Sequence, residues 1–293
     1  MDALLQNLAS GLLTGALYGL GALGLSLAFG VLKVLNVAHG ELIMLGGYAT
    51  FYLFSLLGMD PFVSLGIVFA VIVVLGLVLH ALLLRHVVRL DEENRIKNSL
   101  LISFGLTLIL HTLAVTLFTA DDRSIATSYT SSALTLGSVR LSYVRLAGLA
   151  VAVVSVFLLE RFMTRTIWGK ALRATSEDWV TAALTGIDVR RVYFMAFGIA
   201  AGLAGITGVL VAVSFSVNPS IGLQWTLKAL IVVVLAGLGS MRGTLFAGLL
   251  LGVAEALSSY QFGGAYREVV GLLIFLLVLS ARPQGLFSGA DGV

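Results

Sequence analysis

Stretches of about 20 consecutive apolar residues, long enough to cross a hydrocarbon core of about 30 Å, recur from one end of this chain to the other. Of its 293 residues, 59% are hydrophobic and only 11% charged, with a mean hydropathy of +1.04. A soluble domain has about a quarter of its residues charged. The sequence therefore predicts an all-α polytopic membrane protein with about nine transmembrane or half-membrane helices, forming one transmembrane domain over residues 1–293. The expected spans are 7–30, 37–57, 62–84, 98–119, 141–160, 192–213, 225–239, 243–258 and 266–281. Pro61, Pro219 and Pro283 fall between spans or after the last, so no helix interior loses a hydrogen bond to proline.

Positive charge sets the expected orientation. With the N-terminus outside and the C-terminus cytoplasmic, 13 of the 18 Lys and Arg residues lie inside. These are Lys33, Arg85, Arg89, Arg95, Lys97, Arg161, Arg165, Lys170, Arg173, Arg190, Arg191, Arg242 and Arg282. Arg123, Arg140, Arg145 and Arg267 face outward, and Lys228 lies within a span. The pI near 9.3 reflects this distribution and not a pooled basic patch, so nucleic acid is not an expected partner. The lack of cysteine removes disulfides, thiolate metal sites and cysteine nucleophiles. Met1-Asp2-Ala3 is acidic where a cleavable signal would be basic, so none is expected.

The break between Glu160 and Arg191 is a polar island carrying six of the basic residues, and it is expected on the cytoplasmic side. Within it, Thr175-Ser176-Glu177-Asp178-Trp179 reads as a helix start. Ser176 or Thr175 would cap backbone N–H groups, while Glu177 and Asp178 would suit the positive end of the dipole. Gly186 would close the helix in the left-handed conformation. A structured loop of this size on a membrane protein is expected to dock something. The Ser- and Thr-rich stretch 120–141 is expected to be an external loop.

Glycines fall in four-residue ladders: Gly11, Gly15 and Gly19, then Gly198 and Gly202, then Gly248 and Gly252. Small residues at that spacing let helices approach closely, within a subunit or against a partner. Spans 225–239 and 243–258 read as short, joined by Leu238-Gly239-Ser240-Met241-Arg242-Gly243. They fit either broken helices lining a pathway or ordinary spans in a thinned bilayer.

Ionisable groups inside spans cost about 2.5–3.5 kcal/mol each. A hairpin turning at Gly239–Gly243 would bring Lys228 and Glu255 to one depth, where they would neutralise each other. The alternative is that Lys228 snorkels to the surface. Asn36-Val37-Ala38-His39-Gly40-Glu41 forms a second polar cluster, beside a glycine that loosens the helix. Asn36, His39 and Glu41 either satisfy backbone groups and lock the first two spans, or line the inner mouth of a translocation path. Their spacing does not match His-Glu-x-x-His, so no metal is expected. The chain has no phosphate-cradling loop and no Gly-x-Ser-x-Gly nucleophile motif, so enzymatic activity is not expected. Only Glu255 is read as lying well inside a span, which disfavours a proton-driven carrier.

Leu35-Asn36-Val37-Ala38-His39-Gly40-Glu41 followed by Met44-Leu45-Gly46-Gly47-Tyr48 resembles the N-terminal signature of branched-chain amino acid ABC permeases, in particular the LivH-like half. The resemblance continues through Arg173-Ala174, Glu177-Asp178 and Gly186-Ile187. It resumes at Val217-Asn218-Pro219-Ser220-Ile221-Gly222, Leu227-Lys228-Ala229, Gly237-Leu238-Gly239-Ser240 and Gly252-Val253-Ala254-Glu255-Ala256-Leu257. It ends at Arg282-Pro283-Gln284-Gly285-Leu286-Phe287, so it covers nearly the whole chain. Ala236 and Thr226 depart from it, standing where glycine is common.

The resemblance implies a bacterial inner-membrane ABC importer for branched-chain or other small neutral amino acids. Its partners would be a second homologous permease, two ATP-binding subunits that hold the ATP and Mg, and an external solute-binding protein. This chain would itself hold no cofactor. The resemblance places the ATPase-docking coupling helix at about Ser176–Thr185, within loop 160–191. Arg173, Ser176, Glu177, Asp178, Trp179, Ala183, Leu184 and Gly186 would form the docking region. It also implies weak substrate binding along the path, with Asn218 and Pro219 at the external gate. Members similar to this chain move urea or short amides instead. A channel or secondary carrier with no ATPase is the alternative from another class.

Overall fold

The computed structural model describes residues 2–88, 90–130, 132–137 and 139–287. Arg89, counted above among the inward charges, lies outside the described residues. The chain is almost entirely helical. The helices are α1 (Asp2–Leu32), α2 (His39–Leu57), α3 (Pro61–Leu79), α4 (Arg85–Val87), α5 (Glu92–Phe118), α6 (Tyr143–Arg165), α7 (Ile167–Glu177), α8 (Trp179–Leu184), α9 (Val189–Ser214), α10 (Ile221–Ala236), α11 (Met241–Phe262) and α12 (Arg267–Ala281). A π-turn, His80–Leu84, joins α3 to α4, so Pro61–Val87 forms one span. Among the described residues, eight helical stretches are long and apolar enough to cross a membrane, and Ile221–Ala236 is a shorter ninth.

Strands β1 (Ala133–Leu136) and β2 (Val139–Ser142) form a small antiparallel hairpin, with Ala133 opposite Ser142. Gln6 clasps the hairpin, donating to the Arg140 carbonyl and accepting from the Arg140 amide at 2.9 and 2.7 Å. That contact defines a hairpin end of the molecule. The opposite end gathers Lys33, the α7–α8 segment and the α10–α11 turn, where Lys33, Met163, Ser176 and Gly239 line one pocket.

The glycine ladders build the core, and all three lie inside the subunit. A Cβ on Gly15 would sit 2.5 Å from the Gly248 carbonyl, and one on Gly252 would sit 2.3 Å from the Gly11 carbonyl. These two faces zip α1 to α11 at backbone contact, a closeness lipid cannot match. Gly198 and Gly202 receive Leu77 and Phe69 of α3. Gly24 of α1 meets the Ala200 carbonyl of α9. The result is a row of helices, α3–α9–α1–α11, with α1 and α9 buried at its centre. Helices α2 and α10 wedge against it, since Gly46 meets Gly205 and Gly40 meets Gly222. The outer faces of α5 and α12 present apolar side chains such as Leu101, Ile109, Leu273 and Leu277.

Two expectations about the last hairpin change. Helix α11 has 22 residues and is long enough to span, because Ser259–Phe262 continue it past the apolar run. Only α10, with 16 residues, is short. The turn lies at Gly237–Ser240, where Gly237 and Gly239 adopt φ of +98° and +94°, and Gly243 is already helical. Ser240 caps α11 by accepting from the Gly243 amide at 3.2 Å.

Candidate functional site

The polar island folds into two helices with one extended residue between them. Thr166 caps α7, its Oγ1 accepting from the Gly169 amide at 2.9 Å. Asp178, at φ −149°, ends α7 and caps α8 by accepting from the amides of Val180 and Thr181 at 2.9 and 3.2 Å. The Thr181 hydroxyl donates to the same carboxylate. These bonds, the Thr181 hydroxyl first, hold the Asp178 carboxyl below the ordinary aspartate range.

The expected cap is therefore corrected. Ser176 lies in the last turn of α7 and donates to the Arg173 carbonyl at 2.7 Å, and Thr175 is buried. Glu177 stands at the C-terminal end of α7 and not at a helix start. The helix placed at Ser176–Thr185 begins at Trp179, because Asp178 is extended. Gly186 closes it at φ +89°, as expected, letting the Ile187 amide reach the Ala182 carbonyl at 3.2 Å.

Ala182 alone of α8 is buried. Trp179, Val180, Ala183 and Leu184 are exposed, and Leu184 is 83% exposed. This apolar face stands on a loop bearing exposed Arg173, Glu177 and Asp178.

Behind α8 lies Arg95, 2% exposed, which by sequence is only one of the inward charges. Its Nη1 donates to the Leu32 carbonyl and the Tyr193 hydroxyl at 3.1 and 3.2 Å, and its Nη2 donates to the Leu90 carbonyl at 3.0 Å. Its guanidinium also lies 5.9 Å from the Trp179 ring. One side chain thus connects α8 to the last residue of α1.

After Leu32 the backbone is non-helical through Ala38, with Lys33 in the left-handed region at φ +52°. This break starts at the α7–α8 end, at Lys33, and runs into the bundle as far as His39. His39 Nε2 donates to the Gly21 carbonyl at 2.8 Å, about 16 Å back along α1 at 1.5 Å per residue. The polar cluster expected at the inner mouth is therefore at mid-depth. Irregular backbone at that depth must be satisfied by protein.

Hydroxyls supply the partners. Ser99 and Ser103 of α5 accept from the Leu35 and Val37 amides at 3.1 and 3.0 Å. Thr226 of α10 accepts from the Gly40 amide and donates to the Val37 carbonyl, both at 2.9 Å. Asn36 Oδ1 accepts from the Ala38 amide at 3.1 Å. Gly40 does not loosen a helix, because a Cβ there would fall 1.9 Å from the Gly222 carbonyl. Close approach is what requires glycine. Glu41 is fully buried against Gly222, and neither carboxylate oxygen has a hydrogen-bond partner among the described residues. Glu255 is therefore not the only carboxylate inside the bundle.

Lys228 and Glu255 meet as expected, although the turn at Gly237–Ser240 lies nearer Lys228 than the expected hairpin put it. Lys228 Nζ lies 2.5 Å from Glu255 Oε1, and its side chain is 14% exposed, so it does not snorkel free. Two partners were not foreseen. Arg267 Nε donates to Glu255 Oε2 at 2.9 Å, and the Tyr18 hydroxyl donates to the same oxygen at 3.0 Å. Arg267 begins α12, so only the three-dimensional return of that helix brings it in. At the hairpin end, Asn218 Nδ2 donates to Asp122 at 2.6 Å, and His111 Nδ1 donates to the Pro219 carbonyl at 3.2 Å.

Residues 7–279 match the family described as branched-chain amino acid transport system / permease component. This chain belongs to that family. As a permease of the family it is 32% identical to the high-affinity branched-chain amino acid transport system permease protein BraD of Pseudomonas aeruginosa over 292 residues, covering 96% of this chain and 95% of BraD. It is 31% identical to LivH of Salmonella typhimurium, with 96% and 94% covered. A half-length match, 30% identical over 149 residues, joins it to LivM of Escherichia coli, covering 50% of this chain and 34% of LivM. No solved structure matches. The permease is thus a multi-pass membrane protein and a transport subunit.

Proposed function

We propose that this permease forms half of an ATP-driven importer of branched-chain or other small neutral amino acids in a bacterial inner membrane. The observation that carries the reading is the exposed apolar face of α8, standing on a charged loop and joined through Arg95 to the helix break after α1. A separate ATP-binding subunit docks on that face, and two such subunits hold the ATP and Mg, while this chain holds no cofactor. ATP binding moves α8, Arg95 carries the displacement to the end of α1, and the break at 33–38 changes the path between outward- and inward-open states. The α7–α8 end faces the cytoplasm and the hairpin end faces outward, which agrees with the positive charge gathered around α7 and α8. A second, LivM-like permease completes the path, supported by the half-length match to LivM. An external solute-binding protein delivers substrate near Asn218 and Pro219.

Purification of the tagged full-length chain from its own membrane tests the reading. ATP-binding subunits should co-purify, and proteoliposomes of the complex should take up labelled leucine only with ATP. Uptake of urea or a short amide in place of leucine would move the substrate to the family's other branch. Uptake without any ATPase would identify a channel or secondary carrier.

A further inference from the structure

Between α1, α10 and α12, open toward the hairpin end, lies a pocket of about 260 Å³. Ligand pockets for drug-sized molecules run to about 300–1,000 Å³, so this one suits a smaller solute. Its wall combines an aromatic side and an ionic side. Trp225 packs edge-on against Tyr18 at 5.6 Å between ring centres, with Phe215 6.4 Å away on the other flank. Lys228 and Arg267 face the same space, and Glu268 stands exposed beside Arg267.

Glu255 holds both cations in place without exhausting them. An ammonium carries three donor hydrogens and a guanidinium five. Among the described residues Lys228 commits one, to Glu255, and Arg267 commits two, to Glu255 and the Tyr18 hydroxyl. The remaining donors are available to a carboxylate. Lys228 and Arg267 are offset by Glu268 and by Glu255 behind them, and Arg145 over Phe215 by Asp122 on Ser216 and Asn218, so the pocket and its surround are formally neutral. That balance favours a ligand carrying both signs over a net anion. The aromatic side takes an apolar substituent.

We infer that this pocket binds a zwitterionic α-amino acid with an aliphatic side chain, its carboxylate on Lys228 and Arg267, its ammonium toward Glu268 and its side chain against Trp225. The inference rests on the proposed import function and locates a substrate station in this chain, at the outward mouth.

Trp225 provides the readout, because the chain has only three tryptophans. The full-length protein carrying Trp168→Phe and Trp179→Phe, in lipid nanodiscs, is titrated with L-leucine, leucinamide, 4-methylpentanoate and urea while Trp225 emission is followed. Leucine should give a saturable change in the millimolar range. Leucinamide, which lacks the carboxylate, and 4-methylpentanoate, which lacks the ammonium, should bind at least tenfold more weakly, and urea should give none. Gln224→Phe, at the exposed rim and outside the ion pairs, should weaken leucine at least tenfold. No saturable signal, equal binding of either analogue, a urea response, or a titration unchanged by Gln224→Phe would each overturn the inference. The probe series needs no rim variant, so misfolding of Gln224→Phe leaves the test intact. Leucine uptake by the complete transporter with a silent Trp225 would remove the pocket and leave the import function standing. Absence of uptake with leucine-responsive Trp225 would do the reverse.

Discussion

Glu255 has no exposed surface and accepts from three helices at once, α1, α10 and α12. Breaking a buried pair costs about 3–5 kcal/mol when it leaves an uncompensated charge. Glu255→Gln strands two cations and should approach that figure. Lys228→Met leaves Glu255 with Arg267 and should cost less. A double-mutant cycle on detergent unfolding midpoints should give a coupling of about 1–3 kcal/mol, and strictly additive effects would dissolve the pair. The Lys228–Glu255 contact was legible as opposite charges on the two arms of one hairpin, although the turn at Gly237–Ser240 leaves Lys228 nine residues before it and Glu255 fifteen after it. Arg267 and Tyr18 were not, because no local period relates them to Glu255. The run of Thr, Ser, Glu and Asp from Thr175 to Asp178 offers several caps, and only the backbone selects Asp178. Its lowered pKa means that the ionised cap stabilises α8 throughout neutral pH and is lost only as pH falls through the lowered folded value. Hydrogen exchange over 179–184 should therefore be indifferent to protonation of Asp178 between pH 6 and 8 and rise below about pH 4, near the ordinary aspartate value. Asp178→Ala should raise it at neutral pH, and Asp178→Asn, which can still cap, much less.

At the scale of elements, the zipper of α1 and α11 and the break after α1 make opposite demands. The zipper needs absent side chains. Gly248→Val would drive a Cβ to 2.4 Å from the Gly19 amide nitrogen. It should destabilise by the upper part of the about 1–3 kcal/mol typical of overpacking, or more. Gly66→Ala, with nothing within 4 Å, should be near neutral by the same thermal assay. The break needs supplied side chains. Ser103→Ala removes the acceptor for the Val37 amide and should cost about 1–3 kcal/mol, the penalty of an unsatisfied buried group. The ladders and the nine apolar helices were legible, because four-residue spacing and span length are local properties of the sequence. The depth of the break was not. Asn36-Val37-Ala38-His39 reads as an ordinary loop until Ser99, Ser103 and Thr226 arrive from distant helices. Thr226, noted only as a departure from a common glycine, is one of the residues that satisfies it.

Across the whole molecule, the fold separates a hairpin end holding the amphiphilic pocket from an α7–α8 end holding the exposed apolar face. Arg95 and the break after α1 lie between them. Charge distribution and family resemblance both single out the segment that folds as α7 and α8. The link from Trp179 through Arg95 to Leu32 required coordinates, because these residues are far apart in sequence. The most direct test is Leu184→Glu in the assembled transporter. That side chain is 83% exposed, so the change should leave folding intact. ATP-dependent leucine uptake in proteoliposomes should fall at least tenfold, with the ATP-binding subunit lost on purification and the permease still present at its normal level. Unchanged uptake with the ATPase still bound would contradict the assignment of α8 as the docking face.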